Sequence, residues 1–481
     1  MGSEIPWKQL HPVSLLVNLV PRTWATLRSA WPLLLYAVYG GLTRQGLFDL
    51  SLLLLFFGLA ISNTVIHFLT LRYRVVESRL EIKTGLLNRQ VRVIGADRIQ
   101  NVELVRNVFH RMFKMVEVRI ETASGTEVEG LLSALAEDDA RALVAALEQG
   151  RGEASTVEQV DEGELVIHNS LTELLWFGVT STRLGGIAVL LGLLMEGIAF
   201  DPSPDPEDMR RTTGLFAGIG GIAALIAVVS GAWVVGTATA AIRHHDFRLT
   251  RTASALVAQQ GLFTRRRAVL RPSKVQLVTV IQPVLRRVAG FASVSVETAA
   301  AREGGDGTQQ SEAMIPYVAP EQLQAVVGAA IPLGGVDPMA LELQPPHPRA
   351  LVRATVAAIT RSALLSVIGT WWLWPWGLLL WLSIPISALS ARLDHQHQGW
   401  LITDDLIVSR RGWLSRSTWL LARHKLQSIV VSQGPLLRRY GLGILQVRVA
   451  GSVVLLPAMA FDEALALQAR LLRERSRDRA R

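Results

Sequence analysis

The chain has 481 residues, half of them apolar and 19% charged, with a formal net charge of +9 and no cysteine. The missing thiols exclude disulfides, thiolate metal sites and cysteine nucleophiles. A positive mean hydropathy beside so many charges implies membrane segments alternating with sizeable soluble portions.

Apolar runs come in pairs. Trp31 to Leu42 precedes Leu47 to Leu69, where Asp49, Asn63 and His67 are the main polar interruptions. Leu184 to Phe200 precedes Gly214 to Ile242, which carries no charged side chain. Ala354 to Ala391 must supply two crossings in 38 residues, with Trp371, Trp372, Trp374, Pro375 and Trp376 at its bend. About 20 apolar residues at 1.5 Å rise each cross the hydrocarbon. Tryptophan favours the headgroup zone, and proline cannot continue a helix through the turn. Six helices in three hairpins are predicted, a re-entrant third hairpin being the alternative. No cleavable signal is evident, so the first span is expected to remain as an anchor.

Basic residues are asymmetric about these hairpins. The connections 43–46 and 201–211 and the Trp/Pro bend hold three in all. The opposite side receives Lys8, Arg22, Arg72, Arg74, Arg79, Lys83, Arg243, Arg248, Arg251, Arg349 and Arg353, and the arginine-rich end. By the positive-inside rule, both termini and all intervening domains are expected in the cytoplasm of a multi-pass plasma-membrane protein.

After each hairpin a unit recurs. Gly85, Gly261 and Gly412 are each followed 15 residues later by Gln100, Gln276 and Gln427. Each glutamine closes a basic–branched–Gln triplet, such as Arg98-Ile99-Gln100. A basic pair follows: His110-Arg111, Arg286-Arg287 and Arg438-Arg439, the last displaced by one residue. Strands are predicted at Tyr73 to Val76, Arg79 to Lys83, Val91 to Ile94, Ile99 to Leu104 and Val116 to Thr122, with later counterparts at Ala292 to Thr298 and Ile444 to Ala450. The glycine sits where a hairpin needs positive φ. Helices with acidic starts close the copies at Glu137 to Gln149, Pro320 to Ala330 and Asp462 to Arg475. A curled sheet closed by one helix, in roughly 75 residues, is the implied module; packing against the membrane would help to stabilise so small a unit.

The order Tyr-x-hydrophobic-Thr, Gly-Leu-x-x-Arg, Lys-Ile/Val-Gln and Gln-x-Pro-Leu-x-Arg-Arg resembles the bacterial pleckstrin-homology-like domain. It is matched by Gln282-Pro283-Val284-Leu285-Arg286-Arg287 and by Gln433-Gly434-Pro435-Leu436-Leu437-Arg438-Arg439. Copy one departs from it, with Arg106-Asn107-Val108-Phe109-His110-Arg111 and no proline. The resemblance covers most of the chain and is similar to the family's multi-copy members, in which a hairpin precedes each domain. It implies an α+β membrane protein with six transmembrane helices in three hairpins, each followed by a PH-like β-sheet or barrel domain with a C-terminal helix. The divisions are a juxtamembrane segment (1–23), hairpin 1 (24–70), domain 1 (72–150), a linker (151–168), hairpin 2 (169–242), domain 2 (243–332), a linker (333–349), hairpin 3 (350–391), domain 3 (399–472) and a basic tail (473–481).

The resemblance implies a binding platform rather than an enzyme. Arg89, Arg265, Arg266, Arg267 and Arg416 follow the hairpin glycine, where such domains offer charge to ligands; Arg286, Arg287, Arg438 and Arg439 lie in a later connection. Near an anionic leaflet each cation contributes about 1 kcal/mol. Alternatively, the same charges are a solvated face that sets orientation. No nucleophile-elbow, zincin, P-loop or dinucleotide fingerprint is present, so no catalytic residue, cofactor or metal is assigned. Asp394-His395-Gln396-His397 and His244-His245-Asp246 are read as headgroup-level polar residues, although on a strand His395 and His397 would share a face.

Asn63 and His67 have no counterpart in the other hairpins and read as an interface pair. Gly214 and Gly218 suit close helix packing. His11, His168 and His347 precede the hairpins, with Arg28, Arg183 and Arg361 after them, as turns leading into juxtamembrane helices. Ala300 to Gln310 reads as a flexible loop. The end of the chain from residue 399 has 14 basic and 6 acidic residues; without aromatic stacking platforms, lipid is the expected partner rather than nucleic acid. The functional expectation is a non-enzymatic scaffold binding anionic lipid headgroups or a partner membrane protein, self-association included, in envelope protection or stress tolerance. A signalling adaptor for a soluble protein and a transport component are the alternatives; no small-molecule substrate is implied.

Overall fold

The computed structural model describes residues 7–9, isolated positions between 55 and 70, 71–76, 79–85, 89–122, 130–149, 163–181, 219–253, 255–298, 302–303, 309–310, 313–334, 337–338, 340–372 and 374–480. The first spans of hairpins 1 and 2, Asn63, His67, Gly214, Gly218, His11, Arg28 and Arg183 lie outside the described residues.

Repeat 1 comprises β1 (Lys8–Gln9), β2 (Arg72–Val76), β3 (Arg79–Thr84), β4 (Gln90–Gly95), β5 (Ile99–Arg106), α1 (Val108–Met112), β6 (Met115–Thr122), β7 (Gly130–Ala136) and α2 (Glu137–Gln149). Repeat 2 comprises β8 (Glu164–His168), α3 (Leu171–Thr180), α4 (Ile219–Arg243), β9 (Arg248–Arg251), β10 (Leu256–Gln260), β11 (Arg265–Leu270), β12 (Val275–Pro283), α5 (Val284–Val288), β13 (Ala292–Thr298), β14 (Arg302–Glu303), β15 (Gln309–Gln310), β16 (Ala313–Val318) and α6 (Pro320–Ala330). Repeat 3 comprises α7 (Pro348–Trp372), α8 (Ser383–His397), β17 (Gly399–Ile402), β18 (Leu406–Arg411), β19 (Ser415–Ala422), β20 (Ser428–Ser432), α9 (Pro435–Arg439), β21 (Leu442–Val449), β22 (Ser452–Leu455), β23 (Met459–Ala460) and α10 (Phe461–Ala480).

Each repeat folds as two small sheets and a closing helix, and the recurrent glutamine marks the passage between sheets. A 3₁₀ turn at Ala96–Arg98, Pro272–Lys274 or Arg423–Lys425 ends the first sheet. The register then slips by one residue, between Ile99 and Asn101 in repeat 1 and between Val275 and Leu277 in repeat 2. Gln100 and Gln276 are therefore bulge residues, and a bulge bends a strand into a new sheet direction. In repeat 3 the Gln427 amide donates to the Arg448 carbonyl at 2.9 Å, beside the Ser428–Arg448 pair.

Sheets are shared between repeats. The second sheet of repeat 1 and the first of repeat 2 form one seven-stranded sheet, β7-β6-β5-β11-β10-β9-β8. Repeats 2 and 3 likewise share β16-β13-β12-β19-β18-β17. Apolar cores follow the sheets: Leu406, Val408 and Leu420 of repeat 3 pack with Leu270, Val278 and Val294 of repeat 2. A fully buried leucine or valine contributes about 2 kcal/mol, so repeat 2 on excision loses a strand partner on both sides and part of its core.

Segments placed between domains by sequence turn out to belong to sheets. β1, β8 and an isolated bridge at Gln344 pair with the first strand of the domain that follows, as Lys8↔Tyr73, His168↔Arg248 and Gln344↔Trp400. The linkers 151–168 and 333–349 thus carry β8 and the Gln344 bridge, each paired with the domain that follows. The loop expected at 300–310 carries the paired β14 and β15. The basic tail is not a separate segment either, because α10 continues to Ala480.

Among the described residues two helices, Pro348–Trp372 and Gly377–His397, are long and apolar enough to cross a membrane. The bend falls between them at the tryptophan–proline cluster. Ser362 donates to Ser387 at 2.8 Å and Ser366 to the Leu380 carbonyl at 2.8 Å, so the polar atoms of the pair are satisfied between its own helices.

Candidate functional site

Gly85, Gly261 and Gly412 adopt φ of +93°, +109° and +87°. Each turn is held against the helix end before it. The Gly85 amide donates to Thr70 Oγ1 at 3.2 Å. The Gly261 and Leu262 amides donate to the His245 and Ile242 carbonyls, and Trp413 Nε1 donates to Ser390 of α8 at 2.8 Å. Beside these turns Leu262, Phe263 and Leu414 expose their side chains.

The short helix of one repeat meets the turn of the next. Arg111 donates to the Leu262 carbonyl at 3.1 Å, Arg287 to the Trp413 carbonyl, and the Val284 amide to the Leu414 carbonyl at 2.8 Å. The short helices also expose apolar side chains: Val108, Phe109 and Met112 on α1, and Leu285 and Val288 on α5. Every junction therefore combines exposed apolar groups with guanidinium groups at the end of an apolar helix.

The sequence-assigned arginines divide into three groups. Arg89, Arg265, Arg438 and Arg439 are exposed, while Arg266, Arg267, Arg287 and Arg416 are half-buried. Arg266 and Arg267 stand opposite Val105 and Leu104 within the shared sheet. Arg286 is withdrawn from any external ligand, being only 4% exposed. Its guanidinium donates to Thr180 at 3.3 Å, Ser181 at 2.8 Å and Ser293 at 2.8 Å, and stacks over Phe177 at 4.6 Å. Burial lowers its pKa to about 10, so it stays protonated at neutral pH.

The displaced basic pair is explained by the short helices. Their third positions are the buried His110, Arg286 and Leu437, and their fourth are Arg111, Arg287 and Arg438. Arg438, not Arg439, is the counterpart of the junction arginines.

Arg287, Arg410 and Arg416 form a cluster with no carboxylate partner among the described residues. Burial, then Arg287, lowers the Arg416 pKa; burial, then Arg416, lowers that of Arg410. Arg416 Nε is buried without a hydrogen-bond partner among the described residues. Partly desolvated like charges favour an anion between them. Sequence reasoning missed Arg410, which is remote from the repeat motif and enters only through the β18·β19 pairing with Thr418. Arg111 was noted only as half of a basic pair; its role emerges from the neighbouring repeat.

Among the described residues no three His, Asp or Glu side chains are grouped to hold a metal. His395 and His397 lie on α8 rather than on a strand, so they do not share a face. His397 contacts its own Leu393 carbonyl, and His244 contacts Gln260.

Two sheets joined by a bulge and closed by a helix, repeated behind apolar helices, define a pleckstrin-homology-like repeat. The Bacterial PH domain family matches residues 26–151, 188–330 and 351–475, and the chain belongs to that family. It is similar to the UPF0699 transmembrane protein YdbT of Bacillus subtilis (strain 168), with 25% identity over 450 residues and 89% of each chain covered. No solved structure matches it.

Proposed function

We propose that this chain is a non-enzymatic, multi-pass membrane protein whose repeat junctions bind anionic lipid headgroups. The observation that carries this reading is the Arg287–Arg410–Arg416 cluster, uncompensated among the described residues and adjacent to a turn bonded to α8. Exposed Leu414 and Leu285 enter the interfacial layer while the guanidinium groups meet phosphates, which they bind bidentately.

Full-length protein carrying Arg410→Gln and Arg416→Gln should retain anionic lipid roughly 30-fold less tightly through purification in mild detergent, at about 1 kcal/mol per cation. Mass spectrometry of the co-purified lipid reads this. An unchanged anionic fraction at low salt would reject headgroup binding at this cluster.

All three domains face the cytoplasm in this reading. Support comes from the basic asymmetry and from strand pairing across each hairpin, because Gln344 before hairpin 3 bridges Trp400 after it. Segments paired in one sheet lie on one side of the bilayer. Compartment reporters inserted within 151–162 and fused after Arg481 should give the same cytoplasmic signal; opposite signals would overturn the topology.

A further inference from the structure

The two internal junctions leave complementary halves at the ends of the chain. Both β11 and β19 pair with the preceding repeat, through β5 and β12. Their counterpart β4 pairs only with β3 among the described residues, and Val91 and Val93 on it are each 54% exposed. At the other end β20, the counterpart of β5 and β12, pairs only with β21 among the described residues. A side chain stands on that edge instead: Gln468 of α10 donates to the Ile429 carbonyl at 2.9 Å. The corresponding helix positions in repeats 1 and 2, where a strand follows, hold the buried Val144 and Val327. Arg438 is exposed and no turn among the described residues receives it, whereas Arg111 and Arg287 each cap the turn of the next repeat.

We propose that a second copy of this chain docks head to tail, with β4 of one copy adding antiparallel to β20 of another. The internal registers transfer directly. Arg266↔Val105 and Ser417↔Ile281 become Gln90↔Ser432, and Arg267↔Leu104 and Thr418↔Val280 become Val91↔Val431. Val93 falls opposite Ile429, so the incoming strand displaces Gln468. Arg438 of one copy then reaches the turn that begins at Gly85 of the other, completing a third junction.

A second copy is favoured over an unrelated partner because the chain presents both halves of an interface that it already forms twice. Strand addition supplies main-chain hydrogen bonds along an otherwise open edge. The contact is heterologous, so it propagates into rows or closes into a ring. Membrane anchoring holds the copies in one plane, where their edges face each other.

The absence of cysteine makes the register directly testable. Two differently tagged full-length chains, one with Gln90→Cys and the other with Ser432→Cys, are co-expressed and oxidised in native membranes. Directly opposed strand residues lie within disulfide reach, whereas a shift of two residues adds about 6.6 Å. A covalent species bearing both tags is expected, and both substitutions in one chain should give a ladder of multimers. Gln90→Cys with Val430→Cys should give at least about tenfold less product, its thiols lying out of register. No species bearing both tags, or equal yield from the shifted pair, would overturn the proposal. Arg438→Ala should lower the in-register yield severalfold, and an unchanged yield would overturn the completed junction.

Discussion

Arg286→Ala is expected to raise amide exchange in α3, Leu171–Thr180, by roughly 100-fold, equivalent to about 3 kcal/mol of lost local stability. The guanidinium ties domain 2 to the end of α3 by donating to Thr180 and Ser181 on one side and Ser293 on the other. Alanine would remove those bonds and the stacking on Phe177, leaving a cavity. Arg286→Leu should cost only about 1 kcal/mol, because an apolar side chain of similar bulk removes the charge without leaving a hole. The hydroxyls would not be stranded: Thr180 and Ser181 also donate to the Phe177 carbonyl, and Ser293 to that of Pro316. Repeat 3 already uses this solution, placing Leu437 against Ala350 of α7. Arg286→Lys should resemble alanine more than leucine, since one ammonium cannot serve three hydroxyls or stack in the same plane. Equal exchange in the alanine variant and the parent chain would remove this joint from the account.

Gly261→Val should cost on the order of 3 kcal/mol or more, seen as lower thermal stability and faster exchange in β10 and β11. At φ +109° a Cβ would lie 2.0 Å from the Thr264 carbonyl oxygen, inside the turn itself. That turn presents the Leu262 carbonyl to Arg111 and two amides to the end of α4. The substitution should therefore loosen the junction as well as the hairpin. Gly290 is the internal comparison: its φ is +75°, but no atom lies within 4 Å of an added Cβ. Lys114 occupies the same place after α1 with φ +53°, so Gly290→Lys should cost less than about 1 kcal/mol. Equal losses at the two glycines would mean that backbone conformation, and not the clash, sets the penalty.

The correspondence between sequence and structure varies with the range of the interaction. β13 at Ala292–Thr298, α2 at Glu137–Gln149 and α6 at Pro320–Ala330 fall where alternation and acidic helix starts place them. Hairpin geometry at Gly85, Gly261 and Gly412 was also legible, since few residues other than glycine accept such φ values. β1 and β8 were not, because strands of two and five residues are too short to carry a decisive pattern until the partner is known. Arg286 was read as surface charge because arginine usually is; its burial depends on hydroxyls from residues 105 and 106 positions earlier. Arg410 joined the candidate site only through a cross-strand neighbour.

By itself, then, the sequence determined the threefold unit, its glycine turns, its sheets and helices and its alternation with apolar segments, all of which rest on local backbone preference and periodic burial. Only the tertiary structure decided that neighbouring units share sheets, that one arginine is a buried joint, and that, among the described residues, other arginines gather without counter-charge while β4 and β20 each keep an unpaired edge. The reason is physical. Edge pairing and charge clustering join residues far apart along the chain, and nothing in a local pattern encodes which distant strand will supply the other half.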